Sequence, residues 1–140
     1  MSQPDLATKQ AIHEALARSA YALDERQMDL LEAGFTEDAT LEIKIADAEP
    51  IHFESRDTIM GLMRDAAETQ TDIRRHLITN LYFQDIDSRG LVQCTANLTI
   101  TSVENGAIRL VTSGYYRDKF EHNNGDWQIA HRCIDLDMAY

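Results

Sequence analysis

Hydrophobic and polar residues follow a helical period in the N-terminal half of this chain and a strand period in the C-terminal half. Residues 12–24 place their apolar side chains in one arc at about 100° per residue, which predicts an amphipathic helix. Either Asp5 or Thr8 is expected to cap its N-terminus. Two further helices are predicted, one over 27–35 and one beginning after Ser55. The N-terminal half is therefore expected to be mainly helical.

Four alternating runs fill the C-terminal half, separated by short turns with the sequences DSRG, ENGA and HNNGD. Asn105-Gly106 in the second turn is a strong hairpin signal, because both residue types tolerate positive φ. Ahead of these runs, TEDATLEIKI predicts a loop followed by a strand, and residues 49–53 predict a short strand. Helices placed before an antiparallel meander indicate one α+β domain over residues 1–140, with the helices on one face of the sheet. Gly114, inside a strand, indicates a bulge or bend that would curve the sheet around a cavity.

One acidic residue falls within the apolar arc of the first helix. Asp24 lies about 120° from Ile12, and a carboxylate turned towards a core is costly unless a partner compensates it. The expected partner is His76, in the run IRRHLITNLYF. A carboxylate bonded to one imidazole nitrogen fixes the tautomer and leaves the other nitrogen free as a base. The alternative is that Asp24 ends the helix near solvent and His76 has a structural role.

The charge balance narrows the possible partners. With 13 basic and 24 acidic residues the formal net charge is −11, which disfavours nucleic acid and anionic membranes because both require basic protein surface. Cys94 and Cys133 lie in apolar runs without metal-ligand spacing, so we expect buried thiols, a reducing compartment and no metal site. The sequence shows neither an apolar leader nor a membrane span, and the protein is expected to be cytoplasmic.

Five segments, in order, resemble the SnoaL-like branch of the nuclear transport factor 2-like (scytalone dehydratase-like) superfamily: YALDERQ, FTEDATLEI, RRHLITNLYF, SGYYRDKF and WQIAHR. The resemblance implies a cone-shaped, cystatin-like fold, in which N-terminal helices pack on a strongly curved antiparallel sheet around a pocket. In several dehydratases of this group an aspartate late in helix one orients a histidine from the first meander strand, and these positions match Asp24 and His76. The substrate-specific groups do not match, since Ser19 and Tyr116 stand near places where relatives have lysine and asparagine.

Ten residues are expected to line the pocket: Tyr21, Leu23, Phe35, Leu62, Met63, Ile78, Val92, Ala96, Tyr116 and His131. Tyr21 and Tyr116 each either support a substrate oxygen or simply pack in the core. His131 alternates with Ile129 and Cys133, so it is expected to face inward, as a second acid–base group or as a core histidine. For the arginines at positions 74, 75 and 132, and for Asp118, cross-strand ion pairs are favoured over binding of an anionic substrate.

These residues predict a cofactor-independent acid–base enzyme of the dehydratase/lyase, isomerase or cyclase type. By the resemblance, its substrate is a small hydrophobic molecule, with aromatic, steroid and polyketide-like compounds all open. The exposed sheet face is expected to form a homodimer or small homo-oligomer. Two alternatives remain: a non-catalytic ligand-binding domain, and an accessory small subunit of a ring-hydroxylating oxygenase. Against the second stands the chain length, which by the resemblance is short for such a subunit.

Overall fold

The computed structural model describes residues 2–140, which contain three helices and six strands joined by turns and short loops. Their bounds are α1 (Leu6–Asp24), α2 (Met28–Ala33), β1 (Phe35–Ile45), β2 (Ile51–Glu54), α3 (Arg56–Thr69), β3 (Ile73–Phe83), β4 (Val92–Glu104), β5 (Ala107–Asn123) and β6 (Asp126–Leu136). The predicted order of helices and strands is confirmed. The predicted loop at the start of TEDATLEIKI is wrong, because β1 already begins at Phe35 and continues past a break in its pairing.

The N-terminal caps explain where α1 and α3 begin. The Asp5 carboxylate accepts a hydrogen bond of 2.8 Å from the backbone N–H of Thr8, so Asp5 caps α1. The Ser55 hydroxyl accepts one of 3.3 Å from the N–H of Thr58 at the start of α3. Each cap satisfies a backbone donor that the first helical turn leaves without an intrahelical partner.

The six strands form one sheet in the order β2-β1-β6-β5-β4-β3. Strand β1 runs parallel to β6, and the four C-terminal strands form the predicted antiparallel meander. One face of the sheet is covered by the helices, with α1 against β3 and α3 against β1. We call this covered side the inner face. Buried residues of α1, such as Ile12 and Leu16, form the core with Phe35, Phe120 and Ile129 from the sheet.

Irregular pairing and one close approach shape the meander. Val111 of β5 is an extra residue opposite β4, and Ala130 of β6 is an extra residue opposite β5; such bulges bend a strand and increase its twist. Gly114 has a different role from the predicted bend. A Cβ atom there would lie far inside contact distance of the Asp135 carbonyl oxygen, so glycine allows β5 and β6 to approach.

The outer face of the meander, away from the helices, exposes several large apolar side chains. They include Ile73, Leu77, Tyr82, Val103, Ile108, Leu110 and Tyr115. This is the face on which the sequence places a contact between copies of the chain, and that contact stays a prediction. Within residues 2–140, no helix is long and apolar enough to cross a membrane.

Candidate active site

Asp24 and His76 meet across the interface between α1 and β3. His76 Nδ1 lies 2.6 Å from Asp24 Oδ1, and the two side chains are only 8% and 9% exposed. A carboxylate can only accept hydrogen bonds, so Nδ1 carries the proton. In the neutral ring, Nε2 is then unprotonated and able to act as a base. The arrangement therefore selects one of the two histidine tautomers.

The backbone reinforces this contact. The N–H of His76 also donates to both Asp24 oxygens, at 3.2 and 3.1 Å. Asp24 is the last residue of α1, and β3 returns beside the helix end after 52 positions along the chain. One carboxylate thus fixes both the ring and the main chain of His76, which limits the freedom of the imidazole to rotate.

A cavity of about 210 Å³ lies between the helices and the inner face of the sheet. It is lined by Leu23, Leu31, Phe35, Ile43, Leu62, Met63, Ala66, His76, Leu98, Ile100, Tyr116, Arg132, Ile134, Leu136 and Tyr140. The aliphatic and aromatic residues of this lining suit a hydrophobic ligand, and the few polar groups can orient it. His76 contributes to the wall, so a bound molecule can reach the imidazole.

A second depression, of about 330 Å³, lies on the outside between α1 and β3. It is lined by His13, Leu16, Ala17, Ala20, Tyr21, Asp24, His76, Ile78 and Leu81. We call it the outer groove. Because His76 lines both the groove and the cavity, the Asp24–His76 pair forms part of the wall between them.

A buried ion pair supplies the second polar group of the cavity. Arg132 Nε and Nη2 donate to the two oxygens of Asp118, each at 2.9 Å, and both side chains are buried. The guanidinium also lies 3.8 Å from the centre of the Tyr116 ring, a favourable cation–π contact. Burial raises the pKa of Tyr116 to about 12, so its hydroxyl stays protonated and can donate a hydrogen bond at neutral pH.

A second arginine lies beside the cavity, where Tyr140 contributes to the lining. Arg74 Nε donates to Asp72 Oδ2 at 3.1 Å, and its guanidinium lies 5.0 Å from the centre of the Tyr140 ring. The buried Ser102 hydroxyl donates a further hydrogen bond to Asp72. That bond holds the pKa of Asp72 below its ordinary value, so the carboxyl is ionised and balances the charge of Arg74.

The structure brings only some of the expected pocket residues to the cavity. Those that line it are Leu23, Phe35, Leu62, Met63 and Tyr116, together with His76. Tyr21 and Ile78 line the outer groove instead, and Tyr21 is 56% exposed. Val92 and Ala96 are buried on β4 outside the cavity lining; Val92 packs in the solid core, paired with Phe120. Both lie on the inner face, but the cavity does not extend that far along β4.

The expectation that His131 faces inward is wrong. Lys119 pairs with His131 and Phe120 with Ile129, so the extra residue Ala130 reverses the alternation along β6. His131 consequently lies on the face opposite Arg132, with its Nδ1 2.6 Å from Thr40 Oγ1 on β1. The bulge exchanges a histidine for an arginine in the cavity wall.

Sequence reasoning missed two polar residues of the cavity. The ion pair expected for Arg132 is present. Its place in the cavity wall, however, depends on the bulge at Ala130, and no glycine or turn sequence marks that bulge. Tyr140 follows the last strand and carries no periodic pattern, so only the folded chain shows it beside Arg74. Arg74 and Arg75 also form ion pairs, but these are not the cross-strand pairs expected: Asp72 precedes β3 in the same segment, and Glu25 follows the end of α1.

Helices packed on one face of a curved six-stranded sheet define the cystatin-like, nuclear transport factor 2-like class of folds, and solved structures agree. The β subunit assigned to an aromatic-ring-hydroxylating dioxygenase of Novosphingobium aromaticivorans superposes with a TM-score of 0.82 at 19% identity, over 96% of this chain and 92% of that one. A protein assigned as a scytalone dehydratase of the same organism gives 0.77 at 19%, over 95% and 86%. ActVI-ORFA of Streptomyces coelicolor gives 0.79 at 18%, over 94% and 98%.

The family follows from the sequence itself. Residues 4–133 match the model of the SnoaL-like domain, and the chain belongs to this family. Among curated proteins, none matches the chain. The family and fold fit both a cofactor-free enzyme and an oxygenase β subunit.

Proposed function

We propose that the protein is an acid–base enzyme that acts on a small hydrophobic molecule bound in the cavity, by elimination, dehydration, isomerisation or cyclisation. One observation carries the proposal. The Asp24 carboxylate lies 2.6 Å from the His76 ring and favours one tautomer, and His76 lines a mainly apolar cavity. A purely structural histidine does not need a cavity beside it.

In the proposed reaction His76 first acts as the base. Its Nε2 atom removes a proton from a carbon next to a carbonyl or similar group of the substrate, and Asp24 stabilises the resulting imidazolium through Nδ1. The C–H electron pair moves towards the substrate oxygen, which becomes negatively charged. The imidazolium then returns the proton, to a leaving hydroxyl in a dehydration or to another carbon in an isomerisation.

Tyr116 and Arg132 are the groups we assign to the developing negative charge. The Tyr116 hydroxyl stays protonated, and the Arg132 cation is fixed by two hydrogen bonds to Asp118. Fixed donors in an apolar cavity stabilise a transition-state charge more strongly than water does, because they need no reorientation. The steps need proton transfers and no cofactor.

Benzisoxazole tests the base without knowledge of the natural substrate. This small neutral aromatic carries one acidic ring C–H; removal of that proton forms a C≡N bond, breaks the N–O bond and releases 2-cyanophenolate, which is followed by its absorbance. We expect His76→Gln to lower the rate by roughly 10²–10⁴-fold, the contribution of a positioned general base. His13→Gln, an exposed histidine of the outer groove, is the matched control and should retain the rate. A His76→Gln variant as fast as the original protein would contradict the proposal.

A second candidate function has its own observation, the likeness to the dioxygenase β subunit. The length argument against it is weak, since this chain spans 92% of that subunit. An accessory subunit would co-purify with a metal-containing partner and show no base activity alone. A pure binding domain would bind benzisoxazole without releasing 2-cyanophenolate. Release of 2-cyanophenolate therefore separates the enzyme from both alternatives, and co-purification with a partner separates the accessory subunit from the binding domain.

A further inference from the structure

We propose that the cavity selects an uncharged ligand with one small ring system, and that Asp118 and Asp72 impose the charge selection by matching the two cations beside it. The inference rests on the proposed function, because it assigns the cavity to the substrate. It adds the charge and size of that substrate, which neither the dyad nor the family defines.

The size follows from the volume of the cavity. A dry apolar cavity of about 150 Å³ holds one benzene molecule. A cavity of about 210 Å³ therefore has room for roughly eight or nine non-hydrogen atoms at the same packing. A substituted single ring fits, whereas a steroid or a fused polyketide skeleton exceeds the space between the helices and the sheet.

The charge follows first from Arg132. Both of its bonded nitrogens point to Asp118, at 2.9 Å each, and the pair is buried. A buried arginine without a counter-ion would attract an anionic ligand strongly. With Asp118 in place, the pair has no net charge. A ligand carboxylate placed there would meet the like charge of Asp118 at close range.

Arg74 is balanced in the same way. Asp72 accepts from Arg74 Nε at 3.1 Å and is held ionised by the Ser102 hydroxyl. Beyond these two pairs, the carboxylate of Asp24 supplies a negative charge behind His76. With a neutral imidazole, the groups around the cavity therefore carry one net negative charge, in a chain whose formal net charge is −11.

This balance suits a neutral substrate that becomes negative only in the transition state. An anionic ligand would lose its hydration on entering the apolar cavity and gain no unmatched cation in return. A neutral carbonyl compound loses little hydration free energy on entering the cavity. Arg132 and Tyr116 can then interact with its oxygen as charge develops there. The paired aspartates thus disfavour a ligand that is already charged when it binds.

The test compares two molecules of one shape and different charge. Acetophenone and benzoate are planar, single-ring isosteres, one neutral and one anionic. Binding is followed by protein NMR titration, with shifts at Leu98, Ile100 and the His76 ring locating the ligand in the cavity. We expect benzoate to bind at least tenfold more weakly than acetophenone. The larger ketone acetylanthracene should leave those signals unchanged, because three fused rings exceed the cavity.

Removal of a matching charge should abolish the preference. Asp118→Asn leaves Arg132 without its counter-ion and should strengthen benzoate binding at least tenfold, with acetophenone nearly unchanged. Asp47→Asn, which removes the same charge from an exposed turn, should change neither affinity. If Asp118→Asn does not fold, Asp72→Asn at Arg74 makes the same prediction, and the comparison of the two ligands on the original protein decides the charge preference by itself.

The outcomes separate this inference from the proposed function. Benzoate that binds the original protein as tightly as acetophenone overturns the charge selection and leaves the His76 base intact. Acetylanthracene that binds in the cavity overturns the size limit. If no ligand of either charge shifts the cavity signals, the cavity is not a ligand site, and the proposed function fails together with the inference.

Discussion

Asp24→Asn is the substitution that most directly tests how the site works. An asparagine keeps the shape of the side chain and can still accept from the His76 backbone N–H through its carbonyl oxygen. Its amide nitrogen, however, is a donor and cannot receive the His76 Nδ1 proton, which the carboxylate accepts at 2.6 Å. We expect the proton to move to Nε2, so that the ring accepts from the amide and presents an N–H to the cavity.

The magnitude of this change differs between stability and catalysis. A hydrogen bond to a charged group contributes about 1.5–3 kcal/mol, and the amide replaces part of it, so the free energy of unfolding should fall by no more than this. The base is lost more completely, because Nε2 now carries the proton. The rate of benzisoxazole opening should therefore fall by roughly 10²–10⁴-fold, as for loss of the base itself.

Three measurements on Asp24→Asn test whether the carboxylate sets the His76 tautomer and thereby the rate. Nitrogen NMR of the imidazole reports which ring atom is protonated, urea unfolding reports stability, and release of 2-cyanophenolate reports the rate. Glu25→Gln is the matched control, because Glu25 is the next residue and its partner, Arg75 at 3.7 Å, lies at the surface. An unchanged tautomer with a reduced rate, or a changed tautomer with a full rate, would refute the reasoning.

Two further predictions concern the sheet and the cavity wall. Gly114→Ala should lower the free energy of unfolding, measured with urea, by about 1–3 kcal/mol, because the added Cβ meets the β6 backbone. Gly61→Ala in α3 is the contrasting variant. Its added Cβ enters open space, so the free energy of unfolding should rise by about 0.4–1 kcal/mol. Because burial raises the Tyr116 pKa from 10.0 to about 12, its contribution to stability is full below pH 10.0 and is lost as the pH rises towards about 12. Tyr116→Phe cannot ionise, so its unfolding free energy should fall by about 2–3 kcal/mol less over that interval; equal losses in both proteins would contradict the assigned burial.

Much of the fold could be predicted from the sequence because its signals are local. The apolar period of α1, the Asp5 and Ser55 caps and the Asn105-Gly106 turn each act within a few residues. Such signals locate helices, strands and hairpins without knowledge of the tertiary structure, because each depends only on residues that are close together in the sequence. Asp24 belongs to this group too, because a carboxylate in an apolar arc requires a partner.

The cavity wall depended on interactions that have no local signal. The extra residue Ala130 in β6 exchanges His131 for Arg132 on the inner face, and nothing in the run WQIAHRC marks that position. A bulge is fixed by the pairing of a strand with its neighbours on both sides, here β5 and β1. Periodicity within one strand therefore predicted the wrong side for His131.

By itself the sequence determined the order of helices and strands and marked Asp24 as a carboxylate in need of a partner, because period, caps and a misplaced carboxylate are properties of short segments. The class of fold and the choice of His76 as that partner rested on the resemblance of five segments to a known family. The tertiary structure alone decided that Asp24 and His76 meet at 2.6 Å. It also decided that the cavity is about 210 Å³ and that an arginine matched by Asp118 forms part of its wall. These depend on how strands of different segments curve and pair, and on the space that remains between them and the helices.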